Sequence, residues 1–122
     1  LFAKPRALTE SEIEDIIVRF GTTAEVSKAA GFKGVQIHSA HGYLSSQFLS
    51  PLANRRDDAW GGSLENRMRF LLSVVREVRH RVGSDYPIGV KLNSADFQRG
   101  GFSEDESMEV VKKLDQEGID LL

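Results

Sequence analysis

Apolar residues recur at intervals of three to four positions in three stretches of the chain, which predicts three amphipathic helices. The first helix is expected from about Glu10 to Ala30. Thr9 and Glu12 at its start have the spacing of a capping box, and Gly31 after it suits a left-handed C-terminal cap. The apolar positions of this helix are Ile13, Ile16, Ile17, Phe20 and Ala24.

The second and third stretches also predict helices that begin at a capping residue and end at a glycine. A second helix is predicted to start at Ser63, a favourable N-terminal capping residue, and to stop at Gly83. Ser103 and Glu106 repeat the capping box, and the third helix is expected to end at Gly118. The predicted stripes are Met68, Leu71, Leu72, Val75, Val78 and Val82 in the second helix, and Met108, Val111 and Leu114 in the third.

Short runs rich in β-branched residues follow the helices and predict strands. They lie at residues 34–38 and 88–93, and residues 119–122 have the pattern of a third strand that has only begun. The resulting order is helix, strand, helix, strand, helix, strand. Such alternation is typical of the α/β class with a parallel sheet and right-handed crossovers.

Two parallel architectures compete, the doubly wound sheet and the (β/α)₈ or TIM barrel. Neither strand is followed by a glycine-rich nucleotide-binding turn, which weakens the first. Polar residues and long loops directly after the strands favour the barrel, whose active sites lie at that end. A barrel needs about 250 residues. The 122 residues of this chain are therefore expected to be about the middle third of one.

The two ends of the sequence support that interpretation. The chain begins with Leu1 instead of Met and stops inside an apparent strand. Residues 1–122 are thus expected to be one partial barrel domain, incomplete at both ends, with processing of an intact small protein as the alternative. An open parallel sheet would leave uncovered edges, so the segment is expected to need the rest of the barrel or self-association.

Charge and composition exclude several classes of partner. The 16 Lys and Arg residues against 18 Asp and Glu give a net charge of −2, so nucleic acid is not expected as a partner. The apolar runs are far shorter than the roughly 20 residues of a membrane span. The absence of cysteine excludes thiol catalysis and zinc–thiolate sites in this chain. No leader sequence opens the chain, and a cytoplasmic location is expected.

The strongest candidate chemistry follows the first predicted strand, where His38, His41 and Tyr43 lie within six residues. Two neutral imidazoles can donate N–H groups to one carbonyl oxygen, and a phenol that stays protonated can deliver a proton. One alternative is structural, with both imidazoles at the start of a helix near position 42. Another is a metal pair completed by Asp57 or Asp58, although no metal site is predicted.

Lys91 and Asn93 occupy the end of the second predicted strand and, by alternation, share one face of it. Burial of an unpaired lysine in so apolar a strand would be costly, so Lys91 is expected to point into the barrel mouth towards an anion or an electron-rich ligand. The alternatives are a lysine that extends to solvent and a lysine paired with an acid on the barrel floor.

The irregular stretch at residues 50–67 is too long for a routine connection. An ion-pair lattice of Arg55, Asp57, Glu65 and Arg67 is expected to fix it, in preference to a catalytic role. His80, on the polar side of its helix, is expected to be a solvated surface residue.

Four consecutive blocks together resemble the Old Yellow Enzyme family. They are GVQIHSAHGYL at 34–44, QFLSP at 47–51, NRRD at 54–57 and GGSLENR at 61–67. The likeness covers nearly the whole chain in order and spacing. It implies a (β/α)₈ barrel that binds FMN, takes electrons from NAD(P)H and reduces small molecules such as α,β-unsaturated carbonyl compounds.

The resemblance also implies roles for individual residues. His38 and His41 match the pair that binds the carbonyl oxygen of the substrate or a phenolate inhibitor, and Tyr43 matches the proton donor to the α-carbon. Lys91 matches the basic residue at the N1/O2 edge of the flavin. Arginine is commoner there, and lysine lacks its bidentate geometry.

The implied reaction is transfer of hydride from the reduced flavin to the β-carbon of an activated alkene, with enolate stabilisation by the imidazoles. The phosphate-binding loops of the family lie outside residues 1–122, so the isolated segment is expected to hold FMN weakly and to be inactive. Two other functions stay open from the residues alone. They are a metal-dependent barrel hydrolase that uses His38 and His41, and a non-catalytic half-barrel that self-associates.

Overall fold

Helices and short strands alternate along the chain in the computed structural model, which describes residues 6–122. The elements are α1 (Glu10–Ala29), β1 (Val35–Ser39), α2 (Leu44–Leu49), α3 (Leu64–Val82), β2 (Ile88–Leu92) and α4 (Glu104–Gln116). Every predicted helix and both complete strands are present, with bounds within one or two residues of expectation. The structure adds the six-residue helix α2, which the sequence pattern suggested only as an alternative near position 42.

The predicted caps are confirmed at the starts of the long helices. Thr9 and Ser103 each accept a hydrogen bond from the backbone of a glutamate three residues later, whose side chain accepts one from the cap backbone in return. Ser63 accepts from the backbone of Asn66 and caps α3. Because these bonds satisfy N–H groups that have no partner inside a helix, they fix where each helix begins.

β1 and β2 form a parallel pair in which Val35 lies opposite Ile88 and Ser39 opposite Leu92. The expected third strand is reduced to one parallel bridge, from Leu121 to Gly89. Two strands joined through a helix are the repeating unit of a parallel α/β fold.

The core lies between the sheet and the helices. Ile37, Ile88 and Val90 belong to the same buried cluster as the apolar faces of α1 and α3. The predicted stripe of α3 is buried at every position, and Phe70 adds to it by stacking on Phe48 of α2 with ring centroids 4.3 Å apart. His80 is exposed, as expected.

The buried face predicted for α4 is wrong at two of its three positions. Val110 and Leu114 are buried, whereas Met108 is exposed and Val111 is only half-buried. The spacing from Ser107 to Val110 to Leu114 also fits one helical face, and packing against α3 selects it. None of the helices within residues 6–122 combines the length and hydropathy that a membrane span requires.

Candidate functional site

Both strands end at one edge of the sheet, and the predicted site residues lie there. His38 is opposite Lys91 in the register, and Gln36 is opposite Gly89. Alternation places these four residues on the side of the sheet away from the buried cluster. We call this side the open face. His38 and Lys91 are exposed on it as neighbours on adjacent strands, although 53 positions separate them in sequence.

Directly after β1 the chain turns through two residues with positive φ. His41 has a φ of 60° and Gly42 a φ of 73°. Glycine adopts this conformation freely, but histidine does so rarely. The Tyr43 N–H donates to the carbonyl of Ala40 at 3.2 Å, and Tyr43 then forms the N-cap of α2. This turn brings the two later side chains back beside His38.

The rings of His38, His41 and Tyr43 form one cluster. The two imidazole centroids are 5.2 Å apart with ring planes at 87°, and the His38 and Tyr43 centroids are 5.0 Å apart at 60°. Tyr43 is 61% exposed, so its hydroxyl is accessible from outside. The structure therefore brings together the three residues that the sequence singled out.

Hydrogen bonds from the neighbouring strand end hold the turn in place. The side-chain oxygen of Asn93 accepts from the His41 backbone N–H at 3.1 Å, and its nitrogen donates to the Ser46 hydroxyl at 3.4 Å. That hydroxyl also accepts from the Gly42 N–H at 3.3 Å, and Gln47 donates to the Gly42 carbonyl at 2.6 Å. These contacts use backbone, amide and hydroxyl groups, and leave the imidazole nitrogens and the Tyr43 hydroxyl without a partner among residues 6–122.

Lys91 provides the positive charge of this edge. It is exposed and, within residues 6–122, has no acidic partner, so the alternative of a pair with an acid on this part of the sheet is not observed. Its ammonium group and the His38 imidazole lie on the same face of adjacent strands. Together they can bind a planar ligand that carries hydrogen-bond acceptor atoms along one edge.

A cleft of about 1020 Å³ opens beside the cluster, between the segments that follow β1 and β2. From the segment after β1 it is lined by His41, Gly42, Leu52 and Ala53, among others. From the segment after β2 it is lined by residues 95–98. We refer to this cavity as the rim cleft. It adjoins the histidine cluster through His41.

The expected ion-pair lattice in the irregular stretch is wrong in its membership. Among residues 6–122, the pairs that involve this stretch are Arg56 with Asp58 at 2.6 Å and Arg67 with Glu106 at 2.5 Å. Arg55 instead donates to the Leu52 carbonyl at 3.2 Å. The hydrogen bond from Arg56 holds the pKa of Asp58 below its ordinary value.

Arg67 has a different role from the one expected. It is buried and donates to the carbonyls of Leu49 and Gly62 as well as to Glu106 of α4. The side chain thus ties the end of α2 and the start of α3 to the next helix. The irregular stretch is therefore fixed by contacts across the fold as well as by the local Arg56–Asp58 pair.

The metal alternative finds no matching geometry in the described part of the chain. No group of three or more metal-ligating side chains comes together within residues 6–122. Asp58, one of the acids considered for that site, accepts two hydrogen bonds from Arg56. The two imidazoles are therefore associated with a phenol and an ammonium group.

Sequence reasoning missed the residues that support the cluster. It placed Asn93 on the face of Lys91 but gave it no contact with His41, and it assigned nothing to Ser46. The turn residues in the run from Ala40 to Tyr43 were a partial signal, because they indicate a turn that other parts of the chain must hold. The structure shows the reason, since a histidine in the left-handed conformation needs support from outside the turn. The strand-end position of Asn93 was the other signal.

Comparisons with known proteins identify the family of the chain. The profile of the NADH:flavin oxidoreductase / NADH oxidase family matches residues 2–122. The chain is 44% identical to an NADH oxidase of Thermoanaerobacter brockii over 122 residues, which are all of this chain and 19% of that protein.

Solved structures show the same fold. A complex of 2-naphthoyl-CoA reductase with 2-naphthoyl-CoA is 40% identical, with a TM-score of 0.90 over 95% of this chain and 17% of the other. A morphinone reductase variant in complex with tetrahydroNAD is 35% identical, with a TM-score of 0.85 over 96% of this chain and 33% of the other.

The chain thus spans between about a sixth and a third of these relatives. The expected α/β segment of a (β/α)₈ barrel is confirmed by the fold match. From the match over residues 2–122 together with these identities, the chain belongs to the NADH:flavin oxidoreductase / NADH oxidase family.

Proposed function

We propose that the protein carrying this chain is an FMN-dependent NAD(P)H oxidoreductase that reduces activated alkenes, α,β-unsaturated carbonyl compounds above all. The family comprises oxidoreductases that use FMN with NADH or NADPH as reductant. The observation that carries the proposal for this chain is the cluster of His38, His41 and Tyr43 beside Lys91, which has no acidic partner within residues 6–122. A cytoplasmic location is part of the proposal.

The residues of the open face fit a flavin. Lys91 has no acidic partner within residues 6–122, and the strand position opposite it carries His38 and not an acid. A ring edge that becomes electron-rich on reduction is complementary to an ammonium group at this place. When bound, FMN supplies the redox chemistry that links NAD(P)H to the acceptor. Lys91 would hold that ring edge, and residues beyond this chain would hold the rest of the cofactor.

The two imidazoles suit the carbonyl oxygen of an acceptor. Each neutral ring can donate one N–H, and the two ring centroids are 5.2 Å apart, which is close enough for one acceptor oxygen to contact both rings. Negative charge develops on that oxygen as the alkene is reduced. Fixed donors aimed at developing charge lower the barrier because they need no reorganisation during the reaction.

Tyr43 is placed to complete the reaction with a proton. Its ring contacts His38 at a centroid distance of 5.0 Å, and its hydroxyl has no competing partner among residues 6–122. A phenol hydroxyl is a proton donor. It can therefore donate to the carbon next to the carbonyl while the imidazoles hold the oxygen.

The isolated segment is proposed to be inactive. Within residues 6–122 we assign one cationic contact to the flavin, and the chain covers about a third or less of the relatives' chains. We propose that the remaining part of the barrel, or a second copy of the segment, is needed to cover the sheet edges.

The decisive experiment separates the two half-reactions in the native-length protein by stopped-flow absorbance. Tyr43→Phe is expected to slow alkene reduction about 100- to 10,000-fold, the usual contribution of a general acid. Reduction of the bound flavin by NAD(P)H is expected to stay unchanged. An equal fall in both half-reactions would instead assign Tyr43 to binding.

A phenol titration tests the imidazole pair independently. His38→Ala is expected to weaken the binding of a substituted phenol because one donor to the oxyanion is lost. Unchanged phenol affinity would contradict the assigned role of His38. A native-length protein without flavin absorbance would contradict the proposed function as a whole.

A further inference from the structure

Phe97, in the segment after β2, adopts a backbone conformation that phenylalanine rarely takes. Its φ is 54° and its side chain is 81% exposed. The left-handed conformation is unfavourable for a bulky residue, and exposure of a large apolar ring to water is unfavourable as well. Because both the backbone conformation and the exposure of the ring are unfavourable, we expect this ring to have a contact outside residues 6–122.

The segment that carries Phe97 is closed by contacts at its base. The Asp96 carboxylate accepts from the Ser50 hydroxyl at 2.5 Å and from the Phe102 N–H at 2.8 Å, while the Asp96 N–H donates to the Phe102 carbonyl at 2.8 Å. A side chain at Gly101 would come within 2.7 Å of Asp96, so only glycine fits there without displacement. The ring is therefore presented by a fixed turn.

The position of Phe97 connects it to the proposed reaction. Phe97 lines the rim cleft, as do His41 and Gly42. Leu52, Ala53 and Ala95 also line the cleft and add apolar surface. An acceptor whose carbonyl oxygen lies on the imidazole pair can extend a substituent along this cleft to the ring.

We propose that Phe97 determines specificity by packing against an aromatic or extended apolar substituent of the acceptor, at the end remote from the carbonyl group. This inference rests on the proposed function, because it uses the histidine cluster as the anchor for the carbonyl oxygen. Aromatic pairs prefer offset or edge-to-face packing, and a fixed ring loses little conformational entropy when it binds. Acceptors with a planar aromatic substituent are therefore favoured over compact ones.

The test compares two acceptors in the flavin-loaded, native-length protein with NAD(P)H. Benzylideneacetone carries a phenyl substituent, and cyclohexenone is compact. Phe97→Ala is expected to lower kcat/KM for benzylideneacetone about tenfold and to change that for cyclohexenone less than about twofold. Phe97→Tyr keeps the ring and is expected to retain the wild-type preference. Arg99→Ala, an exposed change on the same segment, is the matched control and is expected to alter neither value.

Two results would overturn the inference while the proposed function stands. An unchanged preference in Phe97→Ala would show that the substrate does not reach the ring. An equal loss with both acceptors, together with a lower Tm, would show that the ring packs against another part of the protein. A wild-type protein that reduces neither acceptor would contradict the proposed function, and this inference with it.

Discussion

The two faces of the small sheet differ in burial, although their residues are neighbours in sequence. On one face, Ile37, Ile88 and Val90 are almost fully buried against the helices. On the open face, His38 and Lys91 are exposed and lack ionic partners within residues 6–122. Because successive side chains of a strand point to opposite faces, each five-residue strand presents buried residues to the helices and exposed residues to the open face. Substitutions on the buried face should therefore lower the free energy of unfolding, whereas substitutions that affect the open face should change ligand binding.

The largest expected effect is on the packed face. Ile88→Ala removes a fully buried side chain and should lower the free energy of unfolding by about 2–5 kcal/mol. Lys91→Ala, three positions away on the open face, is the matched control and should change it by less than about 0.5 kcal/mol. Urea unfolding of the flavin-free native-length protein, followed by circular dichroism, measures both. Equal losses would contradict the division between the faces.

A smaller effect is expected from the support of the open face. Asn93→Ala removes the acceptor for the His41 N–H and should weaken phenol binding about fivefold, corresponding to roughly 1 kcal/mol. The free energy of unfolding should change little, because the bond is exposed. Asn66→Ala, at the start of α3, is the control away from the site and should leave phenol affinity unchanged.

A double-mutant cycle with His41→Ala shows whether Asn93 acts through His41. If it does, the two losses in phenol affinity should not add, because the second change removes a group that is already displaced. Additive losses would show that Asn93 affects binding by another route.

The smallest effect concerns a region away from both faces. Hydrogen bonds from Arg6 and from the Thr9 backbone lower the pKa of Glu12 from an ordinary 4.5 to about 2. A carboxyl group with a lowered folded-state pKa stabilises the fold above its unfolded pKa, and this stabilisation is lost as the pH falls towards 2. Glu12→Gln should therefore reduce the drop in Tm between pH 4.5 and pH 2. An identical acid profile in the variant would contradict this.

Local patterns predicted much of the fold, and the reasons can be traced to particular residues. The apolar stripe of α3 spans about four turns, so many positions define its buried face. The capping boxes at Thr9 and Ser103 are local hydrogen-bond patterns that mark where α1 and α4 begin. Helix α2 was not predicted as an element, because six residues with two serines carry too little periodicity. It is held by contacts such as Gln47 to the Gly42 carbonyl.

Predictions that depended on distant partners were the ones that failed. Arg67 pairs with Glu106, which is 39 positions away, so no local pattern pointed to it. Two overlapping helical spacings were available in α4, and only packing chose Val110 over Met108. For the candidate site, local sequence identified the chemical groups of His38, His41, Tyr43 and Lys91, but their catalytic roles stay predictions.

The sequence by itself determined the order of the elements, the caps and the chemical groups available at the ends of the strands, since these depend on neighbours within a few residues. Tertiary structure decided which of these groups meet. The parallel register places Lys91 beside His38, and the Asn93 side chain fastens the left-handed turn at His41. Contacts between residues about fifty positions apart depend on how the chain closes, and no local spacing encodes that distance.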